Sequence, residues 1–256
     1  MTQYIIIGLL GITIGSFLNV CIHRIPDKKS IAYPSSHCTH CGQNLGVLDL
    51  IPIISYVILR GKCKYCKSKI SLQYPLVELS NGGLYILIYH FVGFSISTMA
   101  YFVLFSILLT VTIIDARTMH IPNPIILFGF SIGLIYRLIS AIYHQDLTII
   151  AQGIIGMFTG VAIIGGIILF SILVFKKEGM GMGDLKLLGM IGLFVGSIYT
   201  LYTILFAVLL GGFYAVIILL KKEEEFFPFG PFLAAGTLIA LLWGDSLWNM
   251  YMNYML

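Results

Sequence analysis

Charge is what this sequence has least of. Only 10% of its 256 residues are Asp, Glu, Lys or Arg, against about 25% in average soluble domains. That shortage excludes an ordinary soluble fold. The formal balance of +4 makes no case for a nucleic-acid partner, and none is expected. Also missing are an internal repeat, a low-complexity tract and a glycine-rich nucleotide loop of the Rossmann kind. No basic leader precedes the first apolar run: Met1-Thr-Gln leads into Tyr4–Ile22, and positive charge comes only afterwards, at Arg24, Lys28 and Lys29. This order reads as a retained first span rather than a cleaved signal. What the chain has in abundance is apolar residues, at 59% with a mean hydropathy of +0.98. Long uncharged runs of that kind imply a polytopic, all-α membrane protein.

Eight spans are read, at about 4–22, 75–93, 100–115, 121–143, 150–175, 185–197, 199–220 and 229–248. The division near Gly196 is the least marked, because 187–220 is apolar almost throughout. The expected organisation is a first transmembrane helix (1–22), a polar four-cysteine domain (23–74) and a transmembrane core (75–256). Cytoplasmic loops carry an excess of Lys and Arg. With the N-terminus outside, fourteen of the fifteen basic residues fall on the inner face. The exception, Arg137, lies toward the outer end of the fourth span, where it is expected to snorkel. The four-cysteine domain is then cytoplasmic.

Orientation turns two acids into a pair. The stretch Gly179-Met-Gly181-Met-Gly183-Asp184-Leu-Lys186 follows one apolar run and opens another. Ionisable groups at membrane depth are costly and mark function by default. Of the six aspartates, only Asp115, closing the third span, and Asp184, opening the sixth, occupy the inner boundary of apolar helices. Two facing carboxyls suffice for aspartic proteolysis: one takes a proton from water and the other donates one to the carbonyl oxygen. The competing account has each aspartate capping a helix or pairing with Arg117 or Lys186. It suits Asp184, at a helix N-terminus, better than Asp115, at a C-terminus where the dipole disfavours an anion. On that asymmetry Asp184 is expected to be the anion of the pair. Glu78 is read at a similar depth, as a group to orient substrate or neutralise Lys186. Asn19 and Asn81 are read as interhelical hydrogen-bonding groups, Asn123 as a helix cap, and His90 and His120 as interfacial.

The cysteines form a second constellation. Cys38-Thr-His-Cys41 and Cys63-Lys-Tyr-Cys66 are two CxxC pairs separated by 21 residues, slightly beyond the usual spacing of about 15–20. Two such pairs complete a tetrahedral zinc site. A disulfide framework is the alternative, and a reducing cytoplasm argues against it. His37 and His40 are neighbouring alternative ligands. Cys21, inside the first span, is read as packed. A polar domain of this size has little core, so metal binding is expected to contribute much of its folding energy, and the domain is expected to help receive the substrate.

These features, in this order, resemble the GxGD intramembrane aspartyl peptidases, specifically the bacterial type IV prepilin peptidases. The resemblance rests on Asp115 ahead of Ile121-Pro-Asn123, on Gly181-Met-Gly183-Asp184 and on the four cysteines. Further matches are Gly15-Ser-Phe-Leu-Asn19-Val, Tyr74-Pro-Leu-Val-Glu78-Leu and Pro228-Phe-Gly230-Pro-Phe. One departure is visible: many members carry an acid two residues after the first catalytic aspartate, where this chain has Arg117, and the family does not require that acid. The resemblance implies a bacterial cytoplasmic-membrane enzyme that cleaves prepilins or pseudopilins after a glycine closing a short basic leader. Asp115 and Asp184 would be catalytic, supported by Gly181, Gly183, Lys186 and Glu78. It also implies methylation of the new N-terminus with S-adenosylmethionine as cofactor, which no residue pattern here predicts independently. The rival from another class is a small proton- or cation-coupled transporter. Its carboxylates should lie near the bilayer midplane, and it should show an inverted repeat. A membrane-anchored zinc module that only binds a partner leaves the paired acids without a purpose.

Overall fold

The computed structural model describes residues 1–176, 180–220 and 227–255. Helices dominate the described residues, among which no named strand occurs. Eight long helices appear: α1 (Thr2–Arg24), α3 (Gln73–Val92), α4 (Ile96–Thr118), α5 (Asn123–His144), α6 (Thr148–Phe175), α7 (Met182–Val195), α8 (Ser197–Leu220) and α9 (Gly230–Met255). Between α1 and α3 lie a short 3-10 turn, Val47–Leu50, and the five-residue α2, Ile54–Ile58.

Six of these helices are long and apolar enough to cross a membrane: α1, α4, α5, α6, α8 and α9. The other two, α3 and α7, are not, for distinct reasons. Helix α3 is diluted by Glu78, Asn81 and His90. Helix α7 has only 14 residues, or roughly 21 Å at 1.5 Å per residue, against a hydrocarbon core of about 30 Å. Gly196, with φ at +84°, ends α7 by adopting a backbone that a side chain would strain. The weakly marked division at this point is therefore a true helix end.

The chain forms two compact units, Met1–Gly93 and Phe94–Leu256. Helix α3, read from the sequence as the opening of the core, is grouped with α1. In the first unit the two helices pack antiparallel along a small-residue face. A methyl group on Gly11 would lie 2.8 Å from the Gly82 Cα, and one on Gly15 would lie 2.7 Å from the Glu78 Cα. Asn81 Nδ2 donates to Gly11 O at 2.7 Å and Asn19 Nδ2 to Tyr74 O at 3.1 Å, the interhelical role expected of both.

The second unit encloses α7. Every residue from Leu187 to Val195 is buried. Gly156 of α6 meets Gly192 of α7 backbone to backbone, and a methyl on Gly160 would lie 2.7 Å from Leu188 O. On α6, Gly156 and Gly160 pack against α7 and Gly153 lies against Arg137, whereas Gly166 faces open space. Positions 177–179 (with Lys177 and Gly179) and 221–226 (with Lys221, Lys222 and Glu223–Glu225) lie outside the described residues.

Candidate active site and metal centre

Helix α4 ends in a left-handed Met119 whose N–H returns to Asp115 O at 2.8 Å. That turn leads through Ile121-Pro122 into α5. Helix α7 starts after an extended Gly181, and Asp184, its third residue, donates its N–H to Gly181 O at 3.1 Å. The two helix ends share one cavity of about 250 Å³ lined by both aspartates, Met119, His120, Ile121, Asn123, Lys186 and the Gly181–Gly183 turn. Both carboxyl residues are buried, Asp115 at 5% exposure and Asp184 at 9%.

Neither aspartate takes the competing role weighed above. Asp184 makes no side-chain cap of α7. Neither acid forms an ion pair with Arg117 or Lys186 among the described residues, and Arg117 is exposed. Lys186 Nζ instead donates to Asn123 Oδ1 at 3.0 Å, tying the N-terminal end of α7 to the first residue of α5. Asn123 is thus a tether and makes no cap: α5 is preceded by Pro122, with no side-chain cap.

The glycines make room. A methyl on Gly183 would press on Ile121 at 3.2 Å, and one on Gly181 would lie 3.4 Å from Asp184 Oδ2. A further glycine belongs to the site. Gly230, the first residue of α9, donates its N–H to Asp115 Oδ2 at 2.9 Å, and a methyl there would lie 2.7 Å from that oxygen. Asp115 therefore meets the N-terminal turn of another helix. The dipole asymmetry read from the sequence does not hold, because both acids have a helix N-terminus beside them.

Two more residues were underrated. His120, read as interfacial, lines the cavity; its place five residues after Asp115, ahead of Ile121-Pro, was the available signal. Arg137 does not snorkel. It is buried at 6% exposure, with Nε donating to Leu193 O at 2.7 Å and Nη2 to Phe194 O at 2.8 Å. These are orphan carbonyls of the last turn of α7, and a cation there is favoured by the helix dipole. Helix α7 is consequently held by α5 side chains at both ends.

Glu78 lies in the other compact unit. It is buried, and its Oε2 accepts from Ile53 N–H at 2.8 Å. Ile53 has φ at +62°, a costly conformation for a β-branched residue, so this carboxylate fixes the strained backbone entering α2. Lys186 is engaged by Asn123.

The four-cysteine segment has its own geometry. Sγ atoms of Cys38, Cys41, Cys63 and Cys66 lie within 4.8 Å of one another. Each pair sits on a matching turn: Cys38 N–H bonds Gln43 O at 2.9 Å and Cys63 N–H bonds Ser68 O at 2.8 Å, with left-handed Gly42 and Lys67 at equivalent places. The Cys38 and Cys66 sulfurs are 3.9 Å apart. Sulfurs on a tetrahedral zinc at about 2.3 Å stand about 3.8 Å from one another, whereas a disulfide needs about 2.05 Å; all five cysteines are free. Backbone N–H groups of Cys41 and then His40 pull the Cys38 thiol down to about 6, and the Ser68 hydroxyl and N–H lower Cys66. At Cys41 the Gln43 N–H pulls down, but desolvation and the neighbouring Cys66 and Cys38 sulfurs outweigh it and push the thiol up to about 11. Four thiols this close resist ionising together unless a cation joins them, so the donor set fits a metal such as zinc. His37 is outside the cluster, its Nδ1 set 3.0 Å from Ser35 O, and His40 is likewise not among the clustered ligands.

Such an arrangement defines a multi-pass helical membrane protein with paired carboxyls on one cavity and a separate four-thiol centre. Comparison with known proteins narrows the class. Residues 9–92 match the bacterial peptidase A24 N-terminal domain and residues 102–216 the type IV leader peptidase family. Proteins called prepilin leader peptidase/N-methyltransferase are similar along nearly the whole chain. The one from Pseudomonas aeruginosa is 35% identical, covering 96% of this chain and 92% of its own length. That of Bacillus subtilis is 33% identical over 97% of each, and that of Neisseria gonorrhoeae is 32% identical over 94% and 91%. The chain belongs to the type IV leader peptidase family. No solved structure matches it.

Proposed function

We propose that this chain is a prepilin or pseudopilin leader peptidase in which Asp115 and Asp184 form the catalytic pair. The observation that supports it most directly is the shared cavity: two carboxyls 69 positions apart in sequence line one space. One carboxylate removes a proton from a water molecule as its oxygen attacks the scissile carbonyl, and the protonated partner gives its proton to the carbonyl oxygen. Collapse of the tetrahedral intermediate breaks the C–N bond: the carboxyl that gained the water's proton passes it to the departing amine, while the other, now a carboxylate, takes a proton from a hydroxyl of the gem-diol. The pair ends with the single proton it began with. Gly181 and Gly183 support the pair by leaving room for Asp184 and for the packed backbone, and Lys186 by anchoring α7 to Asn123. Glu78 is assigned to substrate orientation or methyl transfer.

The remaining assignments follow the same reading. Cys38, Cys41, Cys63 and Cys66 hold a structural zinc, and the segment 23–74 is the domain this ion organises. The enzyme is a multi-pass protein of the bacterial inner membrane, its N-terminus outside and the cysteine domain in the cytoplasm. The relatives' printed name supports a second activity, N-methylation of the cleaved pilin with S-adenosylmethionine, for which no donor site is assigned. A transporter reading gains nothing from relatives of this kind. Purified enzyme mixed with a prepilin in detergent, with and without S-adenosylmethionine, tests the reading by product mass. Cleavage at the leader glycine that persists in either single Asp→Asn variant would sink the catalytic assignment.

A further inference from the structure

Between α1 and α3, the 3-10 turn and α2 carry a bare apolar patch. Val47 and Leu48 of the 3-10 turn are 85% and 76% exposed, and Ile54, Val57 and Ile58 of the adjoining α2 are 55%, 66% and 72% exposed. Isolated exposed apolar residues are ordinary, but a contiguous cluster marks a contact surface. The patch is followed by Arg60, Lys62, Lys64, Lys67 and Lys69, all exposed. Residues 25–72 hold seven basic and two acidic side chains. Each acid already faces a lysine, Asp27 with Lys29 at 2.7 Å and Asp49 with Lys64 at 3.5 Å. The other basic groups make no ion pair among the described residues.

Tethering decides what this surface meets. Helix α1 is of membrane-spanning length, and α3 runs back along it, with Gly8 against Ile86 and Gly15 against Glu78. Both ends of 25–72, just after Arg24 and just before Gln73, therefore return to the same end of one helix pair. We propose that the patch made by Val47, Leu48, Ile54, Val57 and Ile58 lies in the headgroup–acyl boundary of an anionic lipid leaflet, with the lysines and Arg60 on lipid phosphates. Apolar insertion beside a basic cluster is how interfacial segments bind, and an anionic surface attracts such clusters within about a Debye length. A second copy is a poorer occupant, because joining two such patches face to face would bring two basic rims together.

The test uses the full chain in nanodiscs, with Leu48→Trp as reporter and Trp243→Phe and Trp248→Phe removing the native signal. In phosphatidylglycerol discs the emission should be blue-shifted and quenched by lipids brominated on the acyl chain. Quenching should fall at least twofold in phosphatidylcholine discs, and equally in phosphatidylglycerol discs when Arg60, Lys62 and Lys67 are changed to Gln. Water-like emission indifferent to brominated lipid overturns the proposal. A blue shift without lipid quenching, seen only in discs holding two copies, assigns the patch to a second copy and overturns it equally. Unchanged reactivity of the four clustered thiols shows that the reporter has left the segment folded; if it has not, Val57→Trp replaces it. The readout is lipid contact rather than peptide cleavage, so its failure is distinct from failure of the peptidase reading.

Discussion

Helix α7 and the four-cysteine segment are both too small to stand alone, and they are stabilised by opposite means. Helix α7 is buried on all sides from Leu187 onward, its glycines meet the backbone of α6, and Asn123 and Arg137 of α5 hold its two ends. Its geometry is over-determined by neighbours. Among residues 25–72, by contrast, only Gly61 and Cys63 are buried. Without an apolar core the segment cannot offset the entropy of ordering its loops, and its two matched CxxC turns meet at the thiol cluster. Packing sets the one, and a metal is expected to set the other. The contrast also fits the tasks proposed for each. A carboxyl pair needs placement to within a fraction of an ångström, whereas a segment lying on a lipid surface needs only to keep its shape.

The largest effect should come from the pair itself. Asp115→Asn and Asp184→Asn should each lower cleavage by about 10³-fold or more, the upper range for loss of a general acid or base. Thermal stability and thiol reactivity should stay near those of the parent, because packing holds α7 without the carboxyl. A large drop in stability for Asp184→Asn would break the comparison by showing that the acid helps hold the helix.

Arg137→Gln comes next. Its guanidinium serves two carbonyls at the far end of α7 from Asp184, so loss should let the helix shift along its axis. A misplacement of about 1 Å can cost about 100-fold in rate, and kcat should fall accordingly while KM stays within about twofold. Arg137→Lys, which keeps the cation, should recover part of kcat. A change confined to KM would deny Arg137 its positioning role. Gly230→Ala should cost less, about tenfold, by pushing a methyl against the Asp115 carboxyl; wild-type kinetics in that variant would show that α9 yields and that the Gly230 contact is not needed.

These residues also mark where sequence reasoning runs out. The eight helices, the division at Gly196, the interhelical Asn19 and Asn81 and the clustering of four thiols were legible, because each leaves a local mark: an apolar period, a glycine, a CxxC. The shared cavity was inferred from topology, since charge bias puts the end of α4 and the start of α7 on the same side. Arg137 was misread because its partners are backbone carbonyls, which no sequence distinguishes. Gly230 was noticed only as part of a pattern; its role depends on how α9 meets α4, 115 positions away. The Lys186 to Asn123 bond was missed for the same reason: each residue had a sufficient local explanation.

Metal removal probes the comparison most sharply while disturbing catalysis least. If a metal supplies the fold of 25–72, stripping it with a chelator or replacing Cys63 by Ser should free all the remaining clustered thiols together, because four ligands act as one unit. Amide protection in that segment should collapse, and proteolytic nicking should concentrate between Lys28 and Lys69. Helix α7 belongs to the other compact unit, so its amides should keep their protection. The value of kcat on a short soluble substrate should move by less than about twofold, since uniform binding and chemistry are separable quantities. Two results would undo the contrast. Intact protection in 25–72 after complete metal loss would mean that the turns fold unaided. Lost protection in α7 would mean that the two regions form one cooperative unit, with the metal supporting the carboxyl pair as well.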